Sequence, residues 1–245
     1  MATKIEWCDE TINPIVGCSK ISDGCQNCYA EKMAWRLNRM GHPKYQQVVD
    51  AGGWTGKQHC TLNPFYGLPK KPKKVFVCSM GDLFHKNLRG STIDMIFYAM
   101  REYPQHTYML LTKRPDRMDF YFKKRVSQKC LKEIPNLWLG VTVESPKYLD
   151  RIDVLLKMRA AVKFVSIEPM LDFMDIKKYL YWPPCADGTK RSLIDWVIAG
   201  PETGPGARLC PAGAIDNLYD QCLMSGIPFF DKTKKNWLAR EFPKP

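Results

Sequence analysis

The chain has no long apolar run. No stretch of its 245 residues approaches the roughly 18 consecutive apolar residues that a membrane-spanning helix needs. That argues against a membrane protein. The N-terminus, Met1-Ala2-Thr3-Lys4-Ile5-Glu6, lacks the apolar core of a secretory signal, so a cytoplasmic location is expected. The glycine fingerprint of a dinucleotide-binding turn is missing as well. Acidic charge is in short supply: 25 Asp and Glu stand against 37 Lys and Arg, a formal net charge of +12. Such an excess attracts polyanions, with nucleic acid the usual one. With 45% apolar and 25% charged residues the composition is that of an ordinary globular protein, long enough for one large domain over 1–245.

Cysteine is plentiful, at ten residues. In a reducing compartment these are free thiols or metal ligands rather than a disulfide framework. Cys8, Cys60, Cys78, Cys130, Cys185, Cys210 and Cys222 are scattered. Cys18, Cys25 and Cys28 instead fall within eleven residues of the run Val16-Gly17-Cys18-Ser19-Lys20-Ile21-Ser22-Asp23-Gly24-Cys25-Gln26-Asn27-Cys28-Tyr29. Gly17, Asp23, Gly24 and Asn27 make that run a turn-rich loop, the kind of segment that wraps a metal. Three thiols are one short of a closed zinc site, yet enough to hold three irons of a 4Fe–4S cluster and leave the fourth open. A distant fourth Cys or His would complete zinc instead, so both metals stand.

Short apolar strands alternate with helix-like stretches. Strands are expected at 74–78, 107–111, 137–141, 162–166, 195–199 and 227–230, with a further first strand near 14–18. Helices are expected near 28–39, 91–103, 116–126, 147–160, 172–180 and 212–225. Alternation of this kind implies α/β architecture with a parallel sheet. The absence of a dinucleotide fingerprint favours a partial (βα) barrel of about six parallel strands over a Rossmann sheet. Polar residues follow the strands: Ser79-Met80-Gly81-Asp82, Thr112-Lys113-Arg114, Thr142-Val143-Glu144, Ser166-Ile167-Glu168, Gly200-Pro201-Glu202 and Asp231-Lys232. In a (βα) barrel these positions ring the ligand-binding mouth, and acids after five of six strands suit a ligand with cationic or hydroxyl groups. Helix N-termini favour such acids too. Residues 40–73 form a long excursion whose aromatics Tyr45, Trp54, Phe65 and Tyr66 either stack on bases or pack the excursion down. Basic clusters stand at Lys70, Lys71, Lys73 and Lys74, and at Lys113, Arg114, Arg117, Lys123, Lys124 and Arg125. A second insert spans 181–194.

Several motifs carry a resemblance. Ile5-Glu6-Trp7, Asn13-Pro14, Gly17-Cys18 and Gly24-Cys25-Gln26-Asn27-Cys28-Tyr29-Ala30-Glu31 are among them. So are Ser79-Met80-Gly81-Asp82-Leu83-Phe84-His85, Leu111-Thr112-Lys113-Arg114-Pro115, Gly140-Val141-Thr142-Val143-Glu144, Phe164-Val165-Ser166-Ile167-Glu168-Pro169 and Gly204-Pro205-Gly206-Ala207-Arg208. Together they resemble the phage-associated three-cysteine-motif family, which looks like a divergent branch of the radical S-adenosylmethionine (SAM) superfamily, with spore photoproduct lyase as a relative. The usual spacing there is three residues between the first two cysteines and then two. Here it is six and then two. A Lys-Gln-Trp-like ending is also replaced by Asp231-Lys232-Thr233-Lys234-Lys235.

The resemblance implies that Cys18, Cys25 and Cys28 hold a 4Fe–4S cluster whose open iron is chelated by SAM. It places Ser79, Gly81 and Asp82 at the methionine amino group and Thr142 and Glu144 at the ribose hydroxyls. Lys113, Ser166 and Glu168 would complete the SAM site or face the substrate. Base modification or repair on nucleic acid is the activity expected, with a flavodoxin or ferredoxin as electron donor and the protein acting as a monomer. No side chain stands out as general base or hydrogen donor, although Tyr29 and Cys78 lie near the expected place. A zinc-stabilised nucleic-acid-binding protein without catalysis is the competing class; a radical-SAM enzyme acting on a small metabolite or peptide is a third.

Overall fold

A computed structural model describes residues 5–61, 65, 67–125, 135–180, 192–234 and 240–243, with the backbone alone for Arg125. Cys130, Cys185, Pro64, Tyr66, Lys235 and positions 181–191 of the second insert lie outside these residues. The chain divides into two compact units, 1–138 and 139–245.

The first unit carries β1 (Glu10–Ile12), β2 (Ile15–Val16), α1 (Tyr29–Arg39), β3 (Val49–Asp50), β4 (Gly53–Trp54) and β5 (His59–Cys60). It continues with β6 (Lys74–Val77), α2 (Gly90–Arg101), β7 (Thr107–Thr112) and α3 (Pro115–Arg125). The unit boundary falls within β8 (Leu137–Thr142). The second unit adds α4 (Asp150–Leu156), β9 (Val162–Ile167), α5 (Lys177–Leu180), β10 (Trp196–Ala199), α6 (Ala214–Ser225) and β11 (Phe229–Asp231). Seven strands are joined in the order β1-β6-β7-β8-β9-β10-β11. This is the α/β partial (βα) barrel class, with seven parallel strands against about six expected.

The inner strands form where they do because they are largely apolar. All residues of β8 and β10 are buried, as befits parallel strands covered on both faces. Gly140 in β8 has a steric reason: a Cβ there would strike the Phe164 ring from β9. The helices expected from the sequence shorten at two places. A 3₁₀ turn over Pro146–Tyr148 precedes α4, and the segment expected to be helical from 172 becomes so only at Lys177.

The first strand is displaced from its expected position. The edge of the sheet is β1, whose Glu10, Thr11 and Ile12 pair with Val75, Phe76 and Val77. Ile15 and Val16 pair antiparallel with Cys60 and His59 of the excursion. Only Ile12 of β1 is buried, so it leaves little apolar signal, whereas Ile15-Val16 is fully buried in a separate ladder.

The excursion packs rather than projects. Tyr45, Val48 and Val49 form a buried cluster with Val16, Ala30, Ala34 and Met80, and Trp54 packs against it. Phe65 stacks on Tyr103 at 6.1 Å between ring centroids and meets Tyr108 edge-on. Tyr45 and Phe65 are therefore core residues, not base platforms. Among the described residues no helix is long and apolar enough to cross a membrane.

Candidate functional site

The cysteine loop runs from the end of β2 to the start of α1. Its base is fixed by two glycines. Gly17 adopts φ +100°, the left-handed region that disfavours a side chain, and a Cβ there would strike the Lys57 carbonyl oxygen. Its N–H donates to Met80 O at 3.0 Å, and it bridges Gly81 in parallel. A Cβ on Gly81 would lie 2.9 Å from Ile15 O. The loop thus sits directly on the segment Ser79–Asp82 that leaves β6. Cys78, the last residue before that segment, has φ +68°, an uncommon conformation for a side-chain-bearing residue. It is buried, which pushes its thiol up, and it serves as packing.

Around the loop lies a network that the sequence does not announce. Arg114 follows β7, and its Nη2 donates to both Ser19 O and Ser19 Oγ at 2.9 Å. Its Nε lies 3.6 Å from Asp82 Oδ2. Asp82 also accepts from Thr112 Oγ1 at 2.8 and 2.9 Å, from Phe84 N at 2.9 Å and from the Lys113 amide. Burial raises the Asp82 carboxyl against those donors. The Lys113 side chain is half-buried. Ser79 Oγ donates to Asn13 Oδ1 at 3.2 Å, and Met80 N donates to the same oxygen. Tyr29 OH donates to Ser79 O at 2.8 Å.

Two arginines of the basic clusters are engaged by the protein itself. Arg114 is turned into this network, while Arg117 Nη2 donates to Leu88 O at 3.0 Å. Of the remaining lysines in these clusters, Lys70, Lys71, Lys123 and Lys124 are exposed; Lys73 and Lys74 are half-buried at the start of β6.

His85 completes the network. Its Nδ1 accepts from Asn87 N at 3.2 Å, which places the ring proton on Nε2, 2.8 Å from Ser19 Oγ. Protonating Nδ1 would set two donors against each other. Burial, with Arg114 and Lys86 nearby, lowers its pKa to about 4. An unfolded His titrates near 6.5. The unfolded chain therefore binds more protons than the native one between about 4 and 6.5, and stability falls as pH drops through that window. The full effect is up to about 3 kcal/mol. Urea midpoints measured from pH 7 to pH 4 should decline less steeply in His85→Gln than in wild type. Parallel profiles would contradict the assignment.

The three thiols differ in setting. Cys25 is buried, and Cys18 and Cys28 are half-buried. Burial and the Asp82 carboxylate push the Cys18 thiol up to about 12, with Arg114 pulling the other way. At neutral pH it is therefore a thiol, and any metal binding there would have to displace that proton. Ser22 Oγ lies 3.4 Å from Cys25 Sγ, and Cys28 is the residue from which α1 starts. The donor set is soft sulfur, the chemistry that iron–sulfur clusters and zinc draw on. Among the described residues no three His, Cys, Asp or Glu side chains gather around a single-ion position. A cubane makes a different demand, since each thiolate binds a separate corner iron.

In the second unit the strand-end acids are matched by cations, from the segment that follows for Glu144 and Glu202 and from the end of β11 for Glu168. Glu144 is fully buried, with Oε2 2.8 Å from Arg151 Nη1. The same nitrogen donates to Thr142 O at 2.7 Å. Glu202 takes Arg208 Nη2 at 2.6 Å and Nε at 2.9 Å. Ser166 Oγ donates to Glu168 Oε2 at 3.0 Å, and Glu168 Oε1 meets Lys232 Nζ at 2.5 Å. Thr142 is buried. Among the described strand-end pairs, solvent reaches Lys232 (34%) and Glu168 (17%) and also Arg208 (30%), while Ser166 is buried. The acids expected to form a ligand-facing ring are thus largely neutralised internally. Glu144–Arg151 and Glu202–Arg208 are local pairs, whereas Glu168–Lys232 joins two different strand ends, which spacing alone does not reveal.

A family model described as a protein of unknown function (DUF5131) matches residues 2–244. No curated protein and no solved structure matches the chain.

Proposed function

The chain belongs to that family of unknown function, DUF5131, and we propose that it is a radical-SAM enzyme that modifies or repairs a nucleic-acid base. The observation that carries the reading is the placement of Cys18, Cys25 and Cys28 on one loop, anchored through Gly17 to the end of β6. The motif resemblance and the net charge of +12 support it. Cys18, Cys25 and Cys28 would hold three irons of a 4Fe–4S cluster, leaving the fourth to the amino and carboxylate groups of SAM. When bound, cluster and SAM would supply a 5′-deoxyadenosyl radical by one-electron cleavage of the sulfonium, a flavodoxin or ferredoxin being the donor class.

The chain's own part is electrostatic and positional. Three thiolates would bring negative charge into a partly buried loop, and the Arg114 guanidinium beside Ser19 would offset it. Because Asp82 is already enclosed by Thr112, Phe84 and Arg114, its carboxylate braces the segment. The Ser79–Gly81 stretch, positioned by Asn13, Tyr29 and Gly17, would be the part of this segment that meets SAM. In the second unit, Glu168 with Lys232 forms a polar group that solvent reaches, with buried Ser166 bracing Glu168, and Thr142 and Glu144 shape their loop from within. Base chemistry would require a single-stranded or flipped-out substrate, because a stacked base keeps its atoms out of reach.

The test is anaerobic reconstitution with iron, sulfide and SAM, followed by dithionite. Formation of 5′-deoxyadenosine is expected, and it should stop when Cys25 is replaced by Ala. Reconstituted wild type that neither binds SAM nor forms 5′-deoxyadenosine would end the radical-SAM reading.

A further inference from the structure

Helix α1 leaves the cysteine loop at Tyr29 and turns two unlike faces to its surroundings. Ala30 and Ala34 are buried, and half-buried Leu37 packs with them. Glu31, also half-buried, reaches Trp54 N at 3.1 Å and Lys20 Nζ at 2.8 Å. The other side holds Tyr29, Lys32, Met33, Trp35, Arg36, Arg39 and Met40, all exposed. At 100° per residue these seven positions fall within an arc of about 160°. The arc contains three cationic residues, two aromatics and no carboxylate.

The aromatics on this face are presented rather than tucked in. Tyr29 is 55% exposed although its hydroxyl is tethered to Ser79 O at 2.8 Å. Its ring is thus fixed in orientation beside Cys28 while still meeting solvent. Trp35 is 41% exposed, and the Arg39 guanidinium lies 4.7 Å from its ring centroid. A π face beside guanidinium groups is the combination that binds single-stranded nucleic acid, bases on the rings and phosphates on the cations. An acidic protein would use the charge but has less use for the rings.

We propose that the solvent face of α1 is where a single-stranded nucleic acid docks, its phosphates on Lys32, Arg36 and Arg39 and a base on Trp35. The inference rests on the nucleic-acid part of the function proposed for the cysteine loop. It moves the interface from the lysine clusters at 70–74 and 113–125 to the helix that begins at the third cysteine. A strand lying along α1 in this way reaches the cysteine loop at its Tyr29 end.

Fluorescence anisotropy on the full-length protein tests it, with labelled single-stranded DNA, the same sequence as RNA, and duplex DNA, titrated over a range of salt. The test variant is Lys32→Gln/Arg36→Gln/Arg39→Gln. The control is Lys70→Gln/Lys71→Gln/Lys124→Gln, which removes equal charge elsewhere. The α1 variant should flatten the single-strand salt slope by about two, at roughly 0.7 for each phosphate no longer neutralised. Trp35→Ala should weaken single-strand binding about tenfold or more, with little effect on duplex. The DNA and RNA arms decide which sugar the surface accepts. Wild-type binding that survives in the α1 variant, or falls equally in the control, overturns this interface alone. No binding by wild type to any of the three probes overturns the nucleic-acid reading with it.

Discussion

Anaerobically reconstituted wild-type protein should carry about four irons and four sulfides per chain, and Cys25→Ala should carry none. Cys18→Ala and Cys28→Ala should behave likewise, because a cubane with two protein thiolates has two irons without a protein anchor. Cys222→Ala is the informative control. Cys222 is buried in α6 with its thiol pushed up by burial, so its loss removes packing but no donor. Cys60, exposed on β5, should also be dispensable. Iron and sulfide analysis with the visible absorption spectrum is the measurement. Iron retained in the double variant Cys25→Ala/Cys28→Ala would end the cluster assignment. Stoichiometric zinc with no iron or sulfide in wild type would favour the non-catalytic zinc alternative.

Arg151→Met should destabilise the protein by about 3–5 kcal/mol, because it strands the Glu144 carboxylate without its cation. Glu144 has no exposed surface, and Arg151 is almost as buried. The guanidinium also donates to Thr142 O and lies 4.2 Å from the Tyr148 ring centroid, so its removal loosens the β8 exit as well. Against a typical stability of about 5–15 kcal/mol, that loss alone can prevent accumulation of folded protein. Glu144→Leu/Arg151→Met removes both charges and should recover more than half of it, since an apolar replacement of a buried pair is often close to neutral. Urea unfolding of the two variants against wild type checks both statements. A loss below about 1 kcal/mol in Arg151→Met would mean that Glu144 has adequate support elsewhere.

Much of the sheet is legible because burial on both faces writes itself into sequence as uninterrupted apolar residues. Leu137–Thr142 and Trp196–Ala199 are of this kind. Glu10–Ile12 is not: an edge strand with one buried residue resembles a polar linker, and the more apolar Ile15-Val16 carries the stronger strand signal. The loop thiols are legible through their spacing and the surrounding turn residues. Arg114 is not, because an arginine destined for a buried network and one destined for solvent are the same letter. What distinguishes it is the company of Asp82 and Ser19, 32 and 95 positions away in the chain. Glu168 and Lys232 make the same point, since their pairing depends on which strand ends the fold brings together.

The anchoring of the cysteine loop also sets an order of events at the ribosome. Its three thiols are all synthesised by residue 28, but the groups that fix the loop, Met80 O and the Arg114 guanidinium, come much later in the chain. At roughly 5–20 residues per second, the nascent thiols precede their scaffold by several seconds. During that interval they are ordinary flexible cysteines, open to oxidants and to stray metal. If these thiols hold the proposed cluster, its loading would follow the emergence of α3, and a chain stalled before Arg114 would display the thiols without the groups that fix their loop.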